Sequence, residues 1–115
     1  MPKRKFDPLP SAAFQILLSL ADGDLHGYGI MRRVEQQSNG RIRLGPGTLY
    51  SSIQALLEDG LIEEVDPSGD ECGDERRRCY RLAASGRKRA RTEAERLANL
   101  LRVARSKKIL GADYV

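Results

Sequence analysis

The stretch GPGTLYSSIQALLEDGLIEE, residues 45–64, gathers small hydroxyl and amide side chains where a helix would begin. At 100° per residue, Leu49, Ile53, Leu56 and Leu57 share one face. Gly47, Ser51, Gln54 and Glu58 lie opposite, with Thr48 and Ala55 at the margin of that side and Tyr50 at the border. The outward face is therefore small, polar and uncharged at its N-terminal end. Charge enters only at the far end, with Glu58 and Asp59. A helix that only packs into a core has no need of such a surface. A helix entering a DNA major groove N-terminus first does need it. Small residues let the two backbones approach, while hydroxyl and amide groups reach base edges and phosphates. Free N–H groups at that end favour a phosphate oxygen. The plain alternative is a capped surface helix with solvated acids, and this helix alone does not decide between the two.

Other chemistry is poorly supported. His26 is the only histidine and precedes Gly27-Tyr28 at a helix start, where a turn or cap role fits better than catalysis. No His/Cys/Asp constellation marks a nucleophile, and GPG lacks the Lys-Ser/Thr of a phosphate loop. Cys72 and Cys79 make no disulfide framework and fit no strong zinc spacing. Their role is read as structural or incidental. No enzyme, metal or cofactor is expected.

These residues need elements to hold them. An amphipathic helix is predicted from near Ser11, with Phe14, Leu17, Leu18 and Ala21 as its stripe and Asp22-Gly23 as its stop. LHGYGIMRRVEQQSNG, residues 25–40, reads as a second helix, with Ile30, Val34 and Gln37 on one side. RIRL, residues 41–44, alternates and reads as a short strand. The quoted helix follows, from Pro46 to Asp59. LIEEV (61–65) and RRCYRL (77–82) read as a hairpin around a long, turn-rich loop. Ser85 to Leu110 reads as one basic helix. Helix pair, groove-type helix and two-stranded ribbon is the winged helix-turn-helix order, mainly α with a small β-wing. Arg76, Arg77 and Arg78 re-enter the second ribbon strand, where two of them can straddle a phosphate backbone or enter a minor groove.

With 115 residues, 40% hydrophobic, the chain has the size of one small domain with a modest core. Its net charge of +4 suits a polyanion but is weak evidence alone. Aromatics at 5% advertise no large aromatic ligand cavity. No transmembrane span is visible. KRK before SAAFQILLSLA mimics a signal peptide, but Asp7, Pro8, Pro10 and Gln15 interrupt it and no small-x-small site follows. A cytoplasmic location is expected.

LHGYGI (25–30), GPGTLYSSIQALLEDGLIE (45–63) and RRRCYRLAASGRKR (76–89) together resemble the PadR family of bacterial transcriptional regulators, over roughly residues 9–92. The middle motif is the most specific. The resemblance implies a homodimer that binds operator DNA and usually represses. It would place Tyr28, Thr48, Tyr50 and Ser51 at the DNA and the arginines of 76–78 in the wing. The short C-terminus resembles the subgroup with a single dimerisation helix. Three positions depart from the pattern. Leu82-Ala83 stands where Leu-Thr often caps the last helix, leaving the cap to Ser85. Cys79 replaces a frequent aromatic. Asp66, Asp70, Glu71, Asp74 and Glu75 make the wing loop acidic, which should keep its tip off phosphates.

The expected organisation is a basic arm over 1–8, a winged helix domain over 9–82, and a dimerisation helix and tail over 83–115. Ala90, Ala94, Leu97, Leu101 and Ala104 recur at the four-and-three spacing of a coiled-coil seam, widened by Leu100 and Val103. The DNA-facing set is Tyr28, Gly47, Thr48, Tyr50, Ser51, Gln54 and Arg76 to Arg78. The competing function is a winged helix used as a protein-interaction module. The sequence identifies no small-molecule effector.

Overall fold

A computed structural model describes residues 9–65 and 78–111. Four helices and three short strands follow in the order α1 (Ser11–Ser19), β1 (Leu25–His26), α2 (Gly27–Gln37), α3 (Pro46–Glu58), β2 (Ile62–Val65), β3 (Cys79–Leu82) and α4 (Ala84–Ser106). The strands form one antiparallel sheet in the order β1-β3-β2. Leu25 pairs with Tyr80 on one side of β3, and Glu64 pairs with Tyr80 on the other. This is a winged helix with a long C-terminal helix. The acidic loop, Cys72, Arg76 and Arg77 lie outside the described residues.

The core is a single cluster fed by every element except the distal half of α4. Its α1 stripe is Ala13, Ile16, Leu17 and Leu20, not the predicted Phe14, Leu17, Leu18 and Ala21. The period is right but the face is turned. α1 packs on α2, α3 and α4, so its inward arc centres on Ile16 and Leu17 and leaves Leu18 exposed. Ile30 and Val34 of α2 and Leu49, Ile53 and Leu56 of α3 are buried as their spacing required. Gln37 stays outside the core and donates to the backbone oxygen of Gln15 at 2.8 Å.

The third strand is not RIRL. Residues 41–44 form no ladder. The Ile42 N–H donates to the Ser38 hydroxyl at 3.0 Å, so a side chain satisfies the backbone that a strand would have paired. Leu25-His26, read as the start of a helix, supplies the strand instead. His26 then caps α2, its Nδ1 accepting from the Gly29 N–H at 3.1 Å. The imidazole thus meets one of the free donors of the first turn.

α3 stops where Gly60 takes φ 74°. There the Leu61 N–H reaches the Leu56 carbonyl and the Gly60 N–H reaches that of Leu57, a Schellman closure that favours glycine. The turn delivers the chain into β2. α4 is locked to the same corner. Ser85 does not cap it: Ala83 holds the cap position, and the Ser85 hydroxyl donates to the Gly60 carbonyl at 2.6 Å. Gly86 lies so close that an added Cβ would stand 1.9 Å from the Leu61 carbonyl oxygen. On the next turns Ala90 packs against the core and Glu93 is buried, accepting from the Leu9 N–H at 3.4 Å and pairing with Arg96. Beyond Glu93 the helix leaves the body, and Leu97, Leu100, Leu101 and Val103 are exposed.

Candidate nucleic-acid interface

The outward face of α3 is as small and uncharged as its sequence required. Gly47, Thr48, Ser51 and Gln54 are all exposed. Pro46 sits at the first helical positions after Gly45, with no side chain capping the terminus and no acid in the first turn. Proline costs nothing there, because its missing N–H would have had no partner. The remaining first-turn N–H groups point along the axis with the positive end of the helix dipole. The Ser51 hydroxyl donates to the Thr48 carbonyl at 3.2 Å, leaving its lone pairs outward. The Gln54 amide donates to the Glu58 carboxylate at 3.4 Å. That bond aims one amide edge and gives the acid a local task at the end away from the helix start.

Two tyrosines flank this face. Tyr28 is 51% exposed and Tyr50 53% exposed. Gly27 brings them together, because Tyr50 lies over it: an added Cβ would meet the phenol oxygen at 2.6 Å. Tyr28 is held from both sides, stacked on His26 at 6.4 Å between ring centroids and capped by the Arg32 guanidinium at 5.9 Å. The winged order therefore gathers Tyr28, Gly47, Thr48, Tyr50, Ser51 and Gln54 around the start of α3.

α3 contains no basic residue, so its neighbours must supply positive charge. The sequence reading assigned that task to Arg76, Arg77 and Arg78 alone. Of these, only Arg78 lies within the described residues, exposed beside β2 with Glu64 at 3.9 Å. Three further arginines were missed. Arg32 projects from α2 over Tyr28, and Arg41 and Arg43 are exposed just before α3, Arg43 being paired with Glu35 at 3.2 Å. The i, i+4 spacing of Tyr28 and Arg32 was legible and could have placed Arg32 beside the aromatic. Arg41 and Arg43 were hidden by the strand assignment of RIRL, which directed attention to pairing rather than to outward charge.

Cys79 is buried and disulfide-bonded, a correction to its reading as an incidental thiol. It neighbours Tyr80, whose phenol is pushed above its ordinary value of 10.0 by burial and by the charge of Glu64. Among the described residues no group of histidine, cysteine and carboxylate side chains is arranged to hold a metal ion.

The seam residues of α4 divide. Ala90 is engaged by its own core, Ala94 is exposed, and Leu97, Leu101 and half-buried Ala104 lie on the projecting half. Among the described residues no helix is long and apolar enough to cross a membrane.

This arrangement has solved counterparts. A transcriptional regulator from Clostridium thermocellum is 26% identical and superposes with a TM-score of 0.68, covering 83% of this chain and 87% of its own. A PadR family transcription regulator from hypervirulent Clostridium difficile shares the fold with a TM-score of 0.69 at 19% identity, over 89% of this chain and all of its own. In sequence, an uncharacterized 37.1 kDa protein in transposon TN4556 of Streptomyces fradiae is 37% identical over 89 residues, which is 77% of this chain. The chain spans 24% of that relative's length. Residues 16–92 match the transcriptional regulator PadR-like family, well over half of the sequence and all of the winged unit from mid-α1 into α4. The chain belongs to the PadR-like family of transcriptional regulators.

Proposed function

We propose that this protein is a cytoplasmic, homodimeric repressor that binds operator DNA in a sequence-specific manner, with α3 in the major groove. The observation that carries the reading is the exposed start of α3: four small or amide-bearing residues, no charge, and arginines only on neighbouring segments. Thr48, Ser51 and Gln54 read base edges. Arg32, Arg41, Arg43 and Arg78 hold phosphates on either side, and Tyr28 and Tyr50 pack against the sugar-phosphate wall. Division of labour between positioning by phosphate contacts and reading by base contacts is the usual logic of such interfaces. Arg76 and Arg77 join the phosphate set in this reading.

Dimerisation rests on the projecting half of α4. Four large apolar side chains, Leu97, Leu100, Leu101 and Val103, share a helix segment that its own domain does not cover. A second copy pairing there places two α3 helices to read two half-sites. A winged helix serving only as a protein-docking module is the competing reading. Exposed Tyr28 and Tyr50 favour it, since aromatic anchors typify such interfaces.

Selection from a random duplex pool, followed by footprinting of the enriched sequence, tests the proposal. A protected two-fold site is expected. Enrichment of no sequence, together with capture of a protein partner through Tyr28 and Tyr50, would favour the docking module.

A further inference from the structure

A groove runs along the first half of α4, against the C-terminal end of α1. Its apolar lobe encloses about 260 Å³ over Leu17, Leu18, Ala21, Ala90 and Ala94. Its second lobe encloses about 420 Å³ beside Ala83, Ala84 and Lys88. Leu82, Arg87 and Arg91 line both lobes, so the two are continuous.

The charges of this groove are placed against the local electrostatics. Arg87, Lys88 and Arg91 occupy the first two turns of α4, where the positive end of the helix dipole disfavours cations. They also stand three and four residues apart, where like charges repel. No acidic residue lies in the first turn. Arg87 is fixed, donating to the Ala21 carbonyl at 3.1 Å and so tying α4 to the end of α1. Lys88 and Arg91 have no acidic partner among the described residues. An uncompensated cationic rim beside an apolar floor is complementary to a molecule with a negative head and an apolar body.

We propose that this groove binds a small amphipathic organic carboxylate, its carboxylate held by Lys88 and Arg91 and its aromatic ring or short acyl chain over Leu18, Ala90 and Ala94. The anion supplies the negative charge that the helix start and its cations lack. The groove lies at the joint between the winged unit and the projecting helix, since Leu82 ends β3 and α4 begins two residues later. If α4 sets the spacing of two α3 helices, occupancy of the joint changes that spacing, and this effector role rests on the function proposed above. Binding itself does not depend on that reading.

The test is an NMR titration of the methyl-labelled full chain, without DNA, using sodium benzoate and sodium octanoate, with benzamide as the uncharged control. Saturable shifts are expected at Leu18, Ala90 and Ala94 with either carboxylate. Benzamide should bind about tenfold more weakly, because it forgoes the charge-assisted contact. The double variant Lys88→Gln with Arg91→Gln should lose about tenfold in carboxylate affinity while keeping its fold by circular dichroism. Equal affinity for benzamide, an unchanged double variant, or shifts that do not saturate would overturn the proposal. So would a lower sedimentation mass of Leu18→Gln without any carboxylate response, since the groove would then belong to a second copy of the chain. Failure to bind any duplex DNA would refute the regulator reading and leave the carboxylate titration standing.

Discussion

Gly27 decides where a tyrosine stands. Its missing Cβ lets Tyr50 lie over the start of α2, and an alanine there would meet the phenol oxygen at 2.6 Å. That contact is with the free end of a side chain, which can swing away at little cost to the core. Gly27→Ala should therefore lower DNA affinity while leaving unfolding nearly unchanged, and fluorescence anisotropy with parallel thermal melts would check it. A matching loss of stability would mean that Gly27 serves packing alone. Ser51→Ala or Gln54→Ala should instead alter sequence preference, by about 1–3 kcal/mol between matched and mismatched duplexes. Glu93 provides a pH signature. Its bond to Arg96 holds the carboxyl below its ordinary value of 4.5, against the opposing effect of burial. The unfolded chain takes up that proton at higher pH than the folded one, so the contribution to stability is complete above 4.5 and is lost as pH falls through the lowered folded value. Chemical unfolding of Glu93→Gln should lack that part of the acid loss. An acid limb identical to wild type would remove Glu93 from the account.

Elements were legible wherever a period ran long enough to be seen. The α3 motif carried its own start, buried face and stop, so Leu49, Ile53, Leu56 and Gly60 fell where the pattern put them. The failures came from short segments. β1 is two residues long, too short for any alternation to register, and it sits directly against the helix it was merged with. RIRL alternated without becoming a strand, because pairing partners are a tertiary fact and Ser38 took the backbone donor first. In α4 the apolar repeat was visible along its length, but nothing in the pattern says where its own domain stops covering it. Gly86 marks that corner. Its backbone approaches the Leu61 carbonyl too closely for any side chain, and here the obstacle is backbone. Gly86→Ala should destabilise the fold by about 3 kcal/mol, measured by denaturant titration, because the helix must shift off the sheet to admit a methyl group. A loss within the noise of surface substitutions would contradict the geometry.

At the scale of the whole molecule, α4 is about 34 Å long at 1.5 Å per residue. Its first half is bound to its own domain and its second half projects with Leu97, Leu100, Leu101 and Val103 exposed. Burying one leucine contributes on the order of 1.5–3 kcal/mol, so a few of them suffice for a dimer at micromolar concentration. Leu97→Asp with Leu101→Asp should give monomers and lose operator affinity together. The winged unit should stay folded, because neither residue belongs to its core. Sedimentation of the double variant distinguishes this from an α4 that only extends its own domain, for which the mass would not change.

The central claim is that α3 reads DNA while arginines around it hold the backbone. It is tested most directly by titrating the full chain into a selected duplex and a scrambled one over a series of salt concentrations. The account predicts affinity for both duplexes that falls steeply and linearly on a log–log plot, with a slope of about −0.9 for each phosphate neutralised. The selected duplex should bind about a thousandfold or more tightly than the scrambled one. A flat salt response, or equal affinity for the two duplexes, would contradict it.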